Sequence, residues 1–479
     1  MAKGTRPVTK GRAQQLKKKT TGKIIPVNKS KDQTGFFGHP KGLAVLFLTE
    51  MWERFSYYGM RALLILYMVN YLFIQPDVGQ HVLGFSWVSG LFGVEVGHPL
   101  ASKIYGLYTG LVYFTPFFGG IIADRWLGQK WTVIVGGILM MIGHFLMASE
   151  SLFFVALTFL IFGNGAFKPN ISTQVGDLYS ADDPRRDGAF TIFYMGINLG
   201  AFFAPLICGT LGQKVGWHWG FGCAGVGMGV GLIVYLWGQK YLSQNATVIK
   251  NKAAKAAIHK EKEPMTPAEW KGIGALVVLC ALNIVFWAVY EQQGNTMQLW
   301  ADQKTDFMFF GWEMPSTWYQ SFNPLGIFVL APLLTMLWKA QAARGKEPTS
   351  VTKMALGCIL LGLAFCIMIF AAMLVPGDQK GSVMWLMTTT LVLTIGELYL
   401  SPIGLSLVTK VAPARIVSMM MGMWLMSSFF GNYLSGELGS FYEHMDKMYF
   451  FGLMAVMAGI AGLAIFAFNR PLKAAIGHR

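Results

Sequence analysis

Charge is the first thing this sequence lacks. Only 13% of its 479 residues are Asp, Glu, Lys or Arg, about half of the roughly 25% found in ordinary globular domains. With 54% hydrophobic residues, that shortage excludes a typical soluble domain. Cysteine is also scarce. Cys208, Cys223, Cys280, Cys358 and Cys366 stand singly in apolar runs, so neither a disulfide framework nor a Cys/His metal site is expected, and they read as small core-filling hydrophobes. No GxxxxGK[ST] occurs, which excludes a phosphate cradle for ATP in this chain. No nucleophile–base pair or ligand spacing stands out, so no enzyme, metal or cofactor is expected. The first 31 residues contain no acid but many bases, including Lys17, Lys18 and Lys19.

What is abundant is apolar length. Runs suited to membrane helices fall at roughly 42–73, 101–123, 130–149, 151–173, 188–213, 218–238, 271–300, 317–339, 353–375, 382–411, 416–439 and 447–469. Residues 74–100 hold no Lys or Arg, whereas the alternate connections carry Arg125, Lys130, Arg185, Arg186, Lys339, Arg344 and Lys346. Lys and Arg accumulate on the cytoplasmic side, so both termini are expected inside, and the net charge of +15 is an orientation signal rather than a nucleic-acid footprint. No removable signal peptide is expected, because no cleavable apolar core adjoins the basic start. The sequon at Asn245 falls in a loop expected in the cytoplasm and is set aside. The organisation read here is a basic, disordered cytoplasmic tail (1–38), a six-helix bundle (39–238), a cytoplasmic linker (239–270), a second six-helix bundle (271–470) and a short tail (471–479). An all-α membrane protein of two six-helix bundles is the layout of the major facilitator transporters, whose sites lie between the halves near the midplane. Without an ATP cradle, any pumping must draw on an ion gradient.

One span resists a lipid-facing reading. TEMWERFSYYGMRALL (49–64) holds Glu50, Glu53, Arg54 and Arg61. At about 100° per residue, Glu50, Glu53, Arg54, Tyr57, Tyr58 and Arg61 fall within an arc of roughly 140°. Each charge at the bilayer centre costs about 2.5–3.5 kcal/mol even on the lenient scale, so this face must look into protein or a wet cavity. A static ion pair locking helices is the plain alternative, but it leaves the second acid and the double tyrosine unexplained. Lys168, just before Pro169, and Glu291 and Glu397 ask for the same cavity. Asn198 and Asn323 also lie within spans, and each taken singly also suits a helix-packing role. Together these residues place charges of both signs in both halves, which suits a zwitterion.

EMWERFSYYG (50–59) resembles the ExxERFxYYG motif of the proton-dependent oligopeptide transporters. GNGAFKPNIS, FYMGINLGAFFAP, FWAVYEQQG and GELYLSPIGLSLVTKVAP resemble further motifs of that family, in its order. The resemblance implies a proton-coupled symporter importing di- and tripeptides by alternating access, a multi-pass protein of the plasma membrane (the inner membrane in a Gram-negative cell) that functions as a monomer. It implies that Arg54, Lys168 and Arg61 hold the peptide carboxylate. Asn198, Asn323 and Glu397 would receive the amino end. Tyr57, Tyr58, Tyr113, Trp287, Ser401 and Trp424 would form the backbone and side-chain pocket. Proton coupling would rest on Glu50, Glu53, Arg54 and Glu291; Arg61 with Glu291 and Lys168 with Glu397 would form two gates. Asp124, Arg125 and Lys130 in GGIIADRWLGQK (119–130) resemble the superfamily's loop motif, in which acid and base clamp neighbouring helices. Two departures stand out. The linker 239–270 is too short for an extra helix pair, and the span 101–123 lacks the histidine of animal members, which leaves coupling to carboxylates. His39, His98, His144 and His218 sit near span ends or among apolar neighbours. Rival readings are a carrier of an amino acid or nitrate, and a peptide receptor that does not transport; relatives carrying nitrate usually lack an intact ExxER motif.

Overall fold

The computed structural model describes residues 34–180, 183–242, 265–413, 416–467 and 469. The basic positions within 3–31 and 250–262, the sequon at 245–247 and the final stretch 471–479 lie outside them.

In lipid every backbone amide must be paired within the chain, so apolar runs become helices. Sixteen α-helices are described: α1 Lys41–Tyr67, α2 Val78–His81, α3 Phe85–Phe92, α4 His98–Phe114, α5 Pro116–Ile122, α6 Gly128–Leu146, α7 Phe153–Asp177, α8 Arg186–Thr210, α9 Trp217–Trp237, α10 Pro267–Tyr290, α11 Thr296–Lys304, α12 Phe322–Ala343, α13 Ser350–Leu374, α14 Met384–Val411, α15 Val417–Gly439 and α16 Lys447–Ala467. Among the described residues nine helical runs are long and apolar enough to cross a membrane. One of them, His98–Leu146, has 49 residues, or about 73 Å at 1.5 Å per residue, against about 30 Å of hydrocarbon. It turns back at Gly128, where φ +73° and ψ 157° leave the helical region in a conformation that favours glycine. It therefore makes two passes, α4–α5 and α6. The charged α1 and the more polar α15 bring the passes among the described residues to twelve, six on each side of the linker.

Several local details differ from the sequence expectation. α4 begins at His98, ahead of the expected 101, so its first turn carries a histidine. The run expected at 271–300 is not continuous. α10 stops at Tyr290, Glu291–Gly294 forms a tight 3-10 turn, and Asn295 (φ −110°, ψ −96°) re-aims the chain into α11. Three two-stranded ribbons interrupt the all-helical picture: Thr34–Phe36 with His39–Pro40, Thr305–Asp306 with Gly381–Ser382, and Met308–Phe309 with Trp312–Glu313.

Within the first half α1 packs on α8 and α9, and α6 on α7; within the second, α13 packs on α14 and α16. The two halves meet along α4 with α15 and along α8 with α12. Helix direction alternates, so the molecule has a linker end, where α1 begins and α9 finishes, and a distal end opposite. The inter-half hydrogen bonds cluster toward the distal end: Ser102 Oγ donates to Asn295 Oδ1 at 2.9 Å and Trp318 Nε1 to Thr210 Oγ1 at 2.8 Å. Here α4 and α15 approach so closely that a Cβ on Gly106 would meet Gly436 N at 2.6 Å and Asn432 O at 2.8 Å.

Candidate functional site

The charged face of α1 is buried in protein, as its cost in lipid requires. Glu50, Glu53 and Arg54 are 1%, 0% and 3% exposed. Glu53 Oε1 accepts from Arg54 Nη2 at 2.6 Å and from Asn164 Nδ2 at 3.1 Å, while Arg54 Nε closes a second contact to Glu53 Oε2. Glu50 Oε1 lies 3.4 Å from the same Nε, one helical turn away, and Glu50 Oε2 has no hydrogen-bond partner among the described residues. The Arg54 guanidinium stands 5.0 Å from the centre of the Tyr57 ring, a cation–π contact strengthened by desolvation. Lys168 on α7 is the next cation within electrostatic reach. Two acids and two bases thus balance when all are ionised, which is how buried charges persist.

Beside this cluster a cavity of about 340 Å³ opens between the halves, within the range of small-molecule sites. The first half contributes Tyr58 and Arg61 from α1, Tyr113 from α4, Lys168 from α7, and Tyr194 and Asn198 from α8; the second contributes Trp287, Tyr290, Glu291, Asn323, Glu397, Ser401 and Trp424. Lys168 Nζ sits 4.6 Å from the centre of the Tyr113 ring. Across the cavity Glu397 Oε2 accepts from Tyr290 Oη at 2.7 Å and Asn323 Nδ2 at 3.0 Å. Both partners are neutral, and among the described residues no cation pairs with Glu397. Asn198 uses Nδ2 on the Tyr194 carbonyl at 3.0 Å.

The gate residues are placed unequally. Arg61 pairs with Glu291 across the halves and donates from Nε to Tyr105 Oη at 2.7 Å. No ion pair joins Lys168 to Glu397 among the described residues; one faces Tyr113 and the other Asn323. Arg54, Glu50, Glu53 and Tyr57 do not line the cavity but lie behind its wall. Asp124 and Arg125 are exposed on the turn Ala123–Leu127 at the linker end. Among the described residues they make no ion pair, so the expected clamp is absent here, and Lys130 lies over the Trp131 ring instead.

Sequence reasoning missed Asn164, Tyr290, Tyr194 and Tyr105. The first three carried a signal. Asn164 is one turn before Lys168, Tyr290 directly precedes Glu291, and Tyr194 is one turn before Asn198, so each shares or borders a face with a charged or amide side chain. Tyr105 shows no such spacing; only the docking of α4 on the second half brings it to Arg61.

Twelve membrane passes in two halves, with a charged cavity between them sealed toward one end, define a secondary transporter of the major facilitator architecture. A family model described as the POT family matches residues 130–259 and 240–457. The peptide transporter YePEPT of Yersinia enterocolitica is 36% identical, covering 84% of this chain and 88% of that protein. A di-/tripeptide transporter of Lactococcus lactis subsp. cremoris is 32% identical, covering 94% and 99%. A crystal structure of a peptide transporter POT in complex with sulfate superposes with a TM-score of 0.79 at 34% identity, covering 92% of this chain and 97% of that one. The chain belongs to the POT family.

Proposed function

We propose that this protein is a proton-driven symporter that imports di- and tripeptides across the plasma membrane by alternating access, with the monomer as working unit. The observation that carries the reading is the pair of poles facing each other across the cavity. Lys168 stands on one wall, and on the other Glu397 accepts from neutral donors, with no cation paired to it among the described residues. A peptide presents a carboxylate and an ammonium at a spacing set by its backbone. Clamping the two termini accepts many side chains while limiting length. The names of the relatives support the substrate class.

The linker end is the cytoplasmic end, because the basic connections of the sequence gather there. The cavity sealed distally by Arg61 and Glu291 is then the inward-facing arrangement. In this reading a peptide carboxylate that recruits Arg54 deprives Glu53 or Glu50 of its counter-ion, and proton uptake is the cheaper way to keep that acid buried. Peptide and proton then favour each other's binding, as symport requires. Arg54 is screened from the cavity, so this step needs a rearrangement of the wall at Tyr58 and of Tyr57 behind it. Lys168 and Glu397 would meet only when the linker end closes.

The test is uptake of labelled Ala-Ala into proteoliposomes under an imposed inward proton gradient. Accumulation above equilibrium that collapses with an ionophore and is competed by di- and tripeptides is the expected result. Uptake of free alanine or nitrate instead would keep the fold and overturn the substrate. Peptide binding without uptake would make the protein a receptor.

A further inference from the structure

The Arg61–Glu291 pair is not the sole polar bridge at the distal end. A second one lies on the seam between α8 and the segment leading into α12. Both N-half helices that reach it, α1 and α8, end in a π-helical turn, Met68–Leu72 and Leu211–Val215. Such widened turns are rare and often mark functional positions. Each delivers one amide side chain to the same C-half carboxylate: Asn70 Nδ2 donates to Asp302 Oδ2 at 2.8 Å, and Gln213 Nε2 to Asp302 Oδ1 at 3.3 Å.

Gln213 is held on every side. Its Nε2 also donates to Ser316 Oγ at 2.8 Å, and its Oε1 accepts from Thr317 N at 3.1 Å and Thr317 Oγ1 at 3.0 Å. A primary amide has two donors and two lone pairs, and here all four are used, each on the opposite half. Ser316 Oγ in turn donates to Asp302 Oδ1 at 2.7 Å. Beneath the knot a Cβ on Gly209 would come within 2.8 Å of Thr317 Cβ, so the α8 backbone lies directly against the Thr317 side chain. Nearby Lys214 and Glu313 pair at 3.2 Å, but both are well exposed, and such pairs contribute little.

We propose that Gln213 and Asp302 form a second distal lock, separate from Arg61–Glu291, that must come apart for the cavity to open at the distal end. The inference rests on the alternating-access reading. The residues touch no substrate; they are positioning residues that set the balance between the two arrangements. Arg61 lies on α1 and Asn70 on the turn that ends it, so the distal closure is shared between an ion pair and a neighbouring hydrogen-bonded knot. Each multi-bonded amide–carboxylate contact is neutral–charged and reversible, unlike a buried ion pair whose desolvation is expensive.

The test reads conformation, not peptide, so its failure is distinct from failure of the transport assignment. In a background with the five native cysteines replaced, spin labels are placed at Leu83 and Met384, both exposed at the distal end, one in each half. Pulsed electron–electron resonance then measures their separation without substrate. Gln213→Ala and Asp302→Ala are each expected to add a longer-distance population absent from the parent, with thermal stability recorded in parallel. Lys214→Ala is expected to leave the distribution unchanged. If either alanine variant unfolds, Asn70→Ala, which removes an exposed donor to the same carboxylate, is the second probe, expected to give the same shift. An unchanged distribution in every folded lock variant overturns the proposal, as does an equal shift in Lys214→Ala.

Discussion

Glu53 sits at zero exposure between Arg54 and Asn164. In the proposed cycle its value lies in being able to exchange one partner, the guanidinium, for a proton. Glu53→Gln keeps the shape and the neutral contacts but has no proton to give up. Proton-driven accumulation is expected to be abolished while peptide counterflow, which needs no net proton movement, survives. Measured side by side in proteoliposomes, an equal loss of both would remove Glu53 from the coupling step.

At the scale of elements, two glycines make opposite predictions. Gly200 on α8 lies within one half, where a Cβ would meet Phe55 N at 2.8 Å and Arg54 Cβ at 3.0 Å on α1. Backbone there has nowhere to go, and Gly200→Ala is expected to lower stability by about 1–3 kcal/mol, read as a fall in the thermal unfolding midpoint. Gly106 on α4 faces backbone atoms of α15 across the two halves. Those halves separate as bodies, so the strain of Gly106→Ala is relieved by parting rather than by unfolding. It is expected to leave the unfolding midpoint near that of the parent and to lengthen the Leu83–Met384 distance.

The whole molecule is tied by contacts between residues far apart in sequence, of which Arg61 and Glu291 form the most buried ion pair. Removing one partner of such a pair leaves an uncompensated charge and costs about 3–5 kcal/mol, whereas replacing both with apolar side chains of similar volume can be neutral. Glu291→Met alone is therefore expected to lower the thermal midpoint markedly. The double variant Arg61→Met/Glu291→Met is expected to recover most of it while still failing to accumulate peptide. A double variant as unstable as the single one would show that the hydrogen bond from Arg61 to Tyr105, not charge balance, holds the site.

What could be read from the chain alone follows from one rule, that lipid does not solvate charge or open backbone. That rule gave the passes, the division into halves and the inward-turned face of α1, since a charged arc on an apolar helix has only one tolerable direction. It also pointed to Lys168, Glu291 and Glu397, each an ion inside an apolar run. Polar but uncharged partners were legible only where they bordered a residue already singled out, as Asn164, Tyr290 and Tyr194 do, because an asparagine or tyrosine in a span satisfies itself locally as easily as it serves a site. Tyr105 and Gln213 acquire their meaning only when α4 and the turn after α8 are docked. The screening of Arg54 behind the cavity wall, the pairing of Arg61 with Glu291 and not of Lys168 with Glu397, and the knot at Asp302 were decided by tertiary structure. Which ion meets which depends on how two nearly independent bundles lean on each other, and that lean is set by close backbone contacts such as Gly106 on Gly436 rather than by any local pattern.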